Sequence, residues 1–301
     1  MAALDKLCLL VLLALPSFGQ TMQSPLTTLV FHSASRSLRP IIGMTGSSYL
    51  GPALYADLDF ASVSPDQKTA IIETANRVTL IRNLQDAAEI EAAITAIDRI
   101  LWSNDSSIAI LFSSANRELQ WIANGKAGSV TTLPENARLL AAQPDANMAI
   151  VAAGGRVYRI TPDAAPVQIA ALGDPTAAAI CGDTIYVADA AARQIFELSN
   201  NVQHPFLGPA DGIDDPAALL LSADGATLYV AMKSARSLSA YSTVEKTLTG
   251  RLALDWTPSS FEALSKETFL LNSGARAGEP FSVLNLRNGL AENFIPTGDA
   301  K

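Results

Sequence analysis

Histidine and cysteine are almost missing: two of each occur in 301 residues. His32 and His204 lie far apart in the chain, in or near predicted strands, and neither sits in a motif with an acid. That argues against a histidine-built zinc site and against a histidine-activated nucleophile. Cys8 falls in an N-terminal apolar stretch, which leaves Cys181 without an internal disulfide partner. Cys181 precedes Gly182 at a strand end and reads as a small buried residue. Aromatic residues are scarce at 6%. Trp102, Trp121 and Trp256 fall at different phases of the pattern described below and read as individual packing residues, with Pro258 and Phe261 near Trp256 on a loop. No run rich in lysine or arginine interrupts a net charge of −8, so a phosphate backbone is repelled and nucleic acid is not an expected partner. No phosphate-binding loop or dinucleotide fingerprint is present, and Gly154-Gly155 reads as a tight turn. No cofactor is expected.

The chain opens with a ten-residue apolar stretch, Leu7 to Pro16, after Lys6 and before Ser17-Phe18-Gly19. This pattern predicts a secretory leader, residues 1–19, cleaved after Gly19. The stretch is too short for a transmembrane helix, which needs about 20 residues. The expected mature protein is one domain, residues 20–301, exported to the periplasm or beyond, monomeric and not inserted in a membrane.

The rest of the chain repeats. "SADGATLYVAMKSARSLSAYS" from Ser222 has counterparts beginning at Ser62, Leu101, Ala141, Ala179 and Ala263. Each is a short strand, a polar turn, an apolar strand, a small-residue loop carrying arginine, and another strand. The turns are anchored at Asp66, Asp105, Asp145, Asp183, Asp224 and Lys266, spaced by 39, 40, 38, 41 and 42 residues. A period near 40 built from short β-branched runs predicts an all-β propeller of four-stranded blades. In the unit around Asp224 the four strands are expected at Ala217 to Ser222, Thr227 to Ala231, Ser237 to Ser242 and Thr247 to Leu254. "LQDAAEIEAAITAIDRI" from Leu84 has a helix-like composition and is read as an outer strand and linker. Two further strands, Thr28 to Ser33 and Leu38 to Met44, precede the six units. They form a reduced seventh blade or complete the sixth unit; seven blades are expected, with six as the alternative.

The units resemble the bacterial YVTN and NHL propeller repeats, on "SADGATLYVAMKSARSLSAYS" and on "DPTAAAICGDTIYVADAAARQIFELS" from Asp174. The residues shared are turn and strand residues, so the resemblance implies the fold and, in general terms, a binding scaffold. It carries no catalytic residue over to this chain.

Two residue sets are candidates for a site. Arg77, Arg117, Arg156, Arg193, Arg236 and Arg276 follow their anchors by 11, 12, 11, 10, 12 and 10 residues. That phase puts all six on one face, as a cationic ring for an anionic ligand or as arginines covering loop carbonyls and packing their stems on the next blade. Asp211, Asp214 and Asp215 in "PADGIDDP" could hold Ca²⁺, although Asp-Gly and Asp-Pro are also ordinary turn chemistry. The expected function is a non-catalytic binding or protein-interaction scaffold whose ligand or protein partner the sequence does not name. The alternative is a metal-assisted, lactonase-like hydrolase.

Overall fold

The computed structural model describes residues 28–44, 47–83, 86–91, 93–143, 145, 147–199, 202–265, 267–272, 279–286 and 289–297. They form seven antiparallel sheets, one sequence segment after another. The chain is a seven-bladed β-propeller, and the six-bladed alternative is excluded. Helix among the described residues is confined to single 3₁₀ turns such as Ser33–Ser35 and Pro209–Asp211. No helix among them is long and apolar enough to cross a membrane.

The sixth blade shows the plan. Pro216–Leu221 lies innermost, followed outward by Thr227–Met232, Ser237–Ser242 and Leu248–Ala253. The second blade runs Phe60–Val63, Thr69–Thr74, Arg77–Arg82 and Asp86–Glu89. Its last strand and the loop after it are the segment of helix-like composition. Alanine and glutamate do not form a helix there because Asp86–Glu89 is hydrogen-bonded to the strand before it as the blade's outer edge.

The core is divided into seven apolar clusters, one between each pair of neighbouring blades around the ring. A strand in mid-blade therefore faces two cores. In Ile108–Ser113, Ile110 and Phe112 pack toward the fourth blade, while Ala109 and Leu111 pack toward the second. This double burial produces continuous apolar runs in place of polar–apolar alternation.

Serine and aspartate shape the turns between first and second strands. Ser64, Ser103 and Ser222 donate their hydroxyls to Asp66, Asp105 and Asp224 at 2.5, 2.7 and 2.6 Å. The same hydroxyls accept the backbone N–H groups of Thr69, Ile108 and Thr227. The carboxylates in turn accept from Lys68, Ser107 and Ala226. The recurring Ser-x-Asp phrase is thus a clasp that closes the hairpin. Lys266 lies outside the described residues.

The first blade is built differently. It has three described strands, Thr28–His32, Ser37–Met44 and Ser47–Leu50. "TLVFHSASRSL" at 28–38 matches "TLYVAMKSARSL" at 227–238, with one residue fewer in the strand before the loop. His32 faces Ser37 as Met232 faces Ser237. The first blade therefore begins at the second-strand position, and among its described residues the innermost position has no strand. The last blade holds its own four strands, Glu262–Ala263, Thr268–Leu270, Phe281–Asn285 and Ala291–Ile295. Among the described residues no strand is shared across the seam, which is packed by Val30, Ile41 and Leu50 against Leu264, Phe281 and Ile295. Gln67 ties it further: Oε1 accepts from Leu29 N at 2.7 Å and Nε2 donates to Leu264 O at 2.8 Å.

Candidate functional site

The loops between second and third strands share one face with the crossovers that lead into each inner strand. The arginines lie on this face. Arg117, Arg193 and Arg236 close their loops in the left-handed region, at φ 58°, 54° and 43°. Arg36 does the same at φ 48° and is a further member of the set, hidden in the sequence because the strand before its loop is one residue shorter. Arg77 and Arg156 begin third strands directly and are exposed. Arg276 lies outside the described residues.

Several of these side chains reach the next blade's crossover. Arg36 donates to Leu58 O at 3.0 Å and to Asp59. Arg193 Nε lies 2.9 Å from Asp214 Oδ1, and Arg117 lies 3.6 Å from Glu135. The acids beneath them also recur: Asp59, Asp98, Asp174 and Asp215 each directly precede an inner strand. Asp59 accepts from Ala75 N at 2.7 Å, Asp98 from Ser114 N at 2.8 Å, and Asp215 from Ser234 Oγ at 3.0 Å. Asp59, Asp98 and Asp215 thus each hold their own blade's loop, the Asp174 carboxylate accepts from Arg138 at 2.9 Å instead, and Arg36, Arg117 and Arg193 reach the crossover of the next blade.

The three carboxylates of the 209–216 loop diverge. Asp211 accepts from Gly208 N at 2.8 Å, Asp214 pairs with Arg193, and Asp215 holds Ser234. No group of three histidine, cysteine, aspartate or glutamate residues suited to a metal occurs among the described residues. His32 is buried in the first blade, 2.6 Å from Ser35 Oγ, and His204 is exposed on the fifth blade's outer strand, so the ring keeps them apart. Cys181 is exposed, which corrects the expectation of burial. The turn at Gly182 leaves it on the rim, its sulfur against the next blade's turn, where a Cβ on Gly225 would come within 2.6 Å of it. Trp121 is buried, and Trp256 donates to Glu292 at 2.7 Å, as packing residues do.

An open pocket of about 940 Å³ lies on the arginine face beside Arg117, Glu135, Arg138 and Asp174, and a more enclosed space that could hold a ligand is on the axis. A cavity of about 660 Å³ runs between the inner strands, in the size range of small-molecule sites. Its walls include Phe31, Phe60, Trp102 and Ala217, and its mouth is at Asp59, Asp98, Arg99 and Glu262. Phe31 belongs to a second strand and reaches the axis because no described inner strand stands in front of it. Trp102 is fixed by its Nε1, which donates to Ser62 Oγ at 3.0 Å. Arg99 donates to Leu139 O of the next inner strand. Burial pushes the Arg99 guanidinium below its ordinary pKa, and Glu262 and Asp98 oppose that shift. A buried guanidinium facing carboxylates and aromatic walls can bind and orient a ligand of mixed polarity. Sequence reasoning did not single out Arg99 or Glu262. The signal available was the recurrence of acids directly before inner strands.

No family model matches the chain, and no curated protein matches it. Solved structures do. A protein of unknown function from Desulfotomaculum acetoxidans superposes with a TM-score of 0.59 at 14% identity, covering 90% of this chain and 99% of that one. Virginiamycin B lyase from Staphylococcus aureus gives 0.57 at 16% identity, covering 80% and 84%. A candidate 6-phosphogluconolactonase from Bacteroides fragilis gives 0.60 at 14% identity, covering 92% and 96%. At these identities the likeness is one of fold.

Proposed function

We propose that this chain is an exported, non-catalytic binding protein whose ligand enters the axial cavity at the mouth formed by Asp59, Asp98, Arg99 and Glu262. The observation that carries this reading is the cavity on the axis, whose wall at the first blade is formed by Phe31. The apolar N-terminal stretch supports export, and the Ser-x-Asp turns support kinship with the YVTN and NHL repeats. Propellers use a rigid ring to present loops and a central opening, and function resides in what lines them.

The test is a thermal-shift screen with and without a plug in the cavity. Ala217 lines the cavity and belongs to none of the seven interblade clusters, so Ala217→Phe fills space without rebuilding the core. A ligand at 100 times its Kd stabilises by about 2.7 kcal/mol. The expected result is a ligand among sugars, lactones, peptides and organic anions whose shift Ala217→Phe removes. A shift that survives the plug places binding elsewhere. A shift given by Ca²⁺ or Zn²⁺ and reversed by chelator favours the metal-assisted alternative.

A further inference from the structure

The axial cavity borders a strand edge. Leu29 N points away from Ser37–Met44, because it bonds to Gln67 across the seam. Strand geometry gives Phe31 the same orientation. Among the described residues the Phe31 N–H and C=O have no hydrogen-bond partner, and Phe31 lines the cavity. On one side of this slot stands Phe60–Val63 and on the other Glu262–Ala263, the inner strands of the flanking blades. Phe60 and Ala61 line the cavity on one side of the slot and Ala263 on the other.

We propose that the cavity binds a short extended peptide, which adds to the Thr28–His32 edge as the seventh inner strand. This rests on the cavity being the binding site. Strand addition draws affinity from main-chain hydrogen bonds, and here it would satisfy the Phe31 edge groups. A strand antiparallel to Thr28–His32 runs in the direction of the other inner strands. Its N-terminus therefore lies at the mouth, beside Asp59 and Glu262 where the flanking inner strands begin. Among the described residues that mouth has three carboxylates, Asp59, Asp98 and Glu262, and the guanidinium groups of Arg36 and Arg99. The excess is one negative charge, which complements a free α-ammonium group. The flanking inner strand of the second blade, Phe60–Val63, is four residues long and that of the last blade, Glu262–Ala263, is two, so a peptide of four or five small apolar residues spans the longer wall of the slot.

The probe is the pentapeptide amide Ala-Val-Ala-Val-Ala with a free amine, titrated calorimetrically into the full chain. An N-acetylated copy and a copy N-methylated at both valines are the controls. Binding by the free-amine peptide is expected, weakened about tenfold or more by each modification, since one lost charge-assisted or main-chain bond is worth about that factor. Binding should also slow hydrogen exchange at the Phe31 amide. Equal binding of the N-methylated copy overturns strand addition, and absence of binding overturns the proposal. If a chain starting at Thr27 binds and the full chain does not, the slot belongs to the chain's own preceding segment, and the proposal fails. Ala217→Phe separates the two readings. A non-peptide ligand lost in that variant, with no peptide bound, leaves the cavity reading standing and removes this one. Peptide binding unaffected by Ala217→Phe removes both.

Discussion

Arg193 Nε lies 2.9 Å from Asp214 Oδ1, so a residue from the recurring arginines meets one from the acidic loop. The pair crosses from the fifth blade to the loop entering the sixth. Both side chains are about half exposed, and such pairs contribute about 0.2–1 kcal/mol. A double-mutant cycle of Arg193→Ala and Asp214→Ala should give a coupling in that range, falling with added salt. A coupling of several kcal/mol would mean that the pair holds the ring together.

The turn clasps should appear in the acid limb of stability. The Ser103 hydroxyl and the Ser107 N–H hold the Asp105 carboxyl down at about 2, and Ser222 holds Asp224 below its ordinary value. A carboxylate depressed in the folded state stabilises the fold above its unfolded pKa, near 3.8, and that contribution is lost as pH falls toward 2. Ser103→Ala should flatten the loss between pH 4 and 2, read by urea denaturation at stepped pH. An unchanged profile would exclude the clasp as its source.

Gln67 should matter more than a turn residue ordinarily does. Gln67→Ala leaves Leu29 N–H and Leu264 C=O without their carboxamide, at a cost of about 1–3 kcal/mol for such part-buried groups. Gln67→Glu keeps the acceptor for Leu29 but loses the donor to Leu264, and should fall between Ala and wild type. Denaturant midpoints check the order.

Leu111 is fully buried in the cluster between the second and third blades. Leu111→Ala should cost about 2–5 kcal/mol through lost transfer energy and a residual cavity. The far-ultraviolet spectrum of both proteins should remain strand-dominated.

Much of this architecture can be read in the chain because each blade repeats the same local problem. The four strands expected around Asp224 fall within a residue of those found, and Ser237–Ser242 coincides. The period also appears in the bonds: Trp102 reaches Ser62, and Thr176 reaches Pro216 O at 2.5 Å, each across 40 residues. What the chain hides is convergence. Arg99 and Glu262 are remote in sequence and come together only because the ring closes. Arg36 escapes a search by spacing because it lies eight positions after Thr28, against nine from Thr227 to Arg236, the strand before its loop being one residue shorter. Cys181 misleads because an apolar strand precedes it, whereas its exposure is set by the turn that follows.

The seam between the last and first blades gives the disc a direction of failure. Six of the interblade junctions are continued by a covalent crossover, but among the described residues this one is bridged by side-chain packing and the Gln67 carboxamide. The molecule is mechanically a split washer. Slow opening should start at this gap and travel round both ways, so the amides of Leu29 and Leu270 should exchange with solvent before those of Val151 and Val187. A ligand lodged beside the gap would act as its latch.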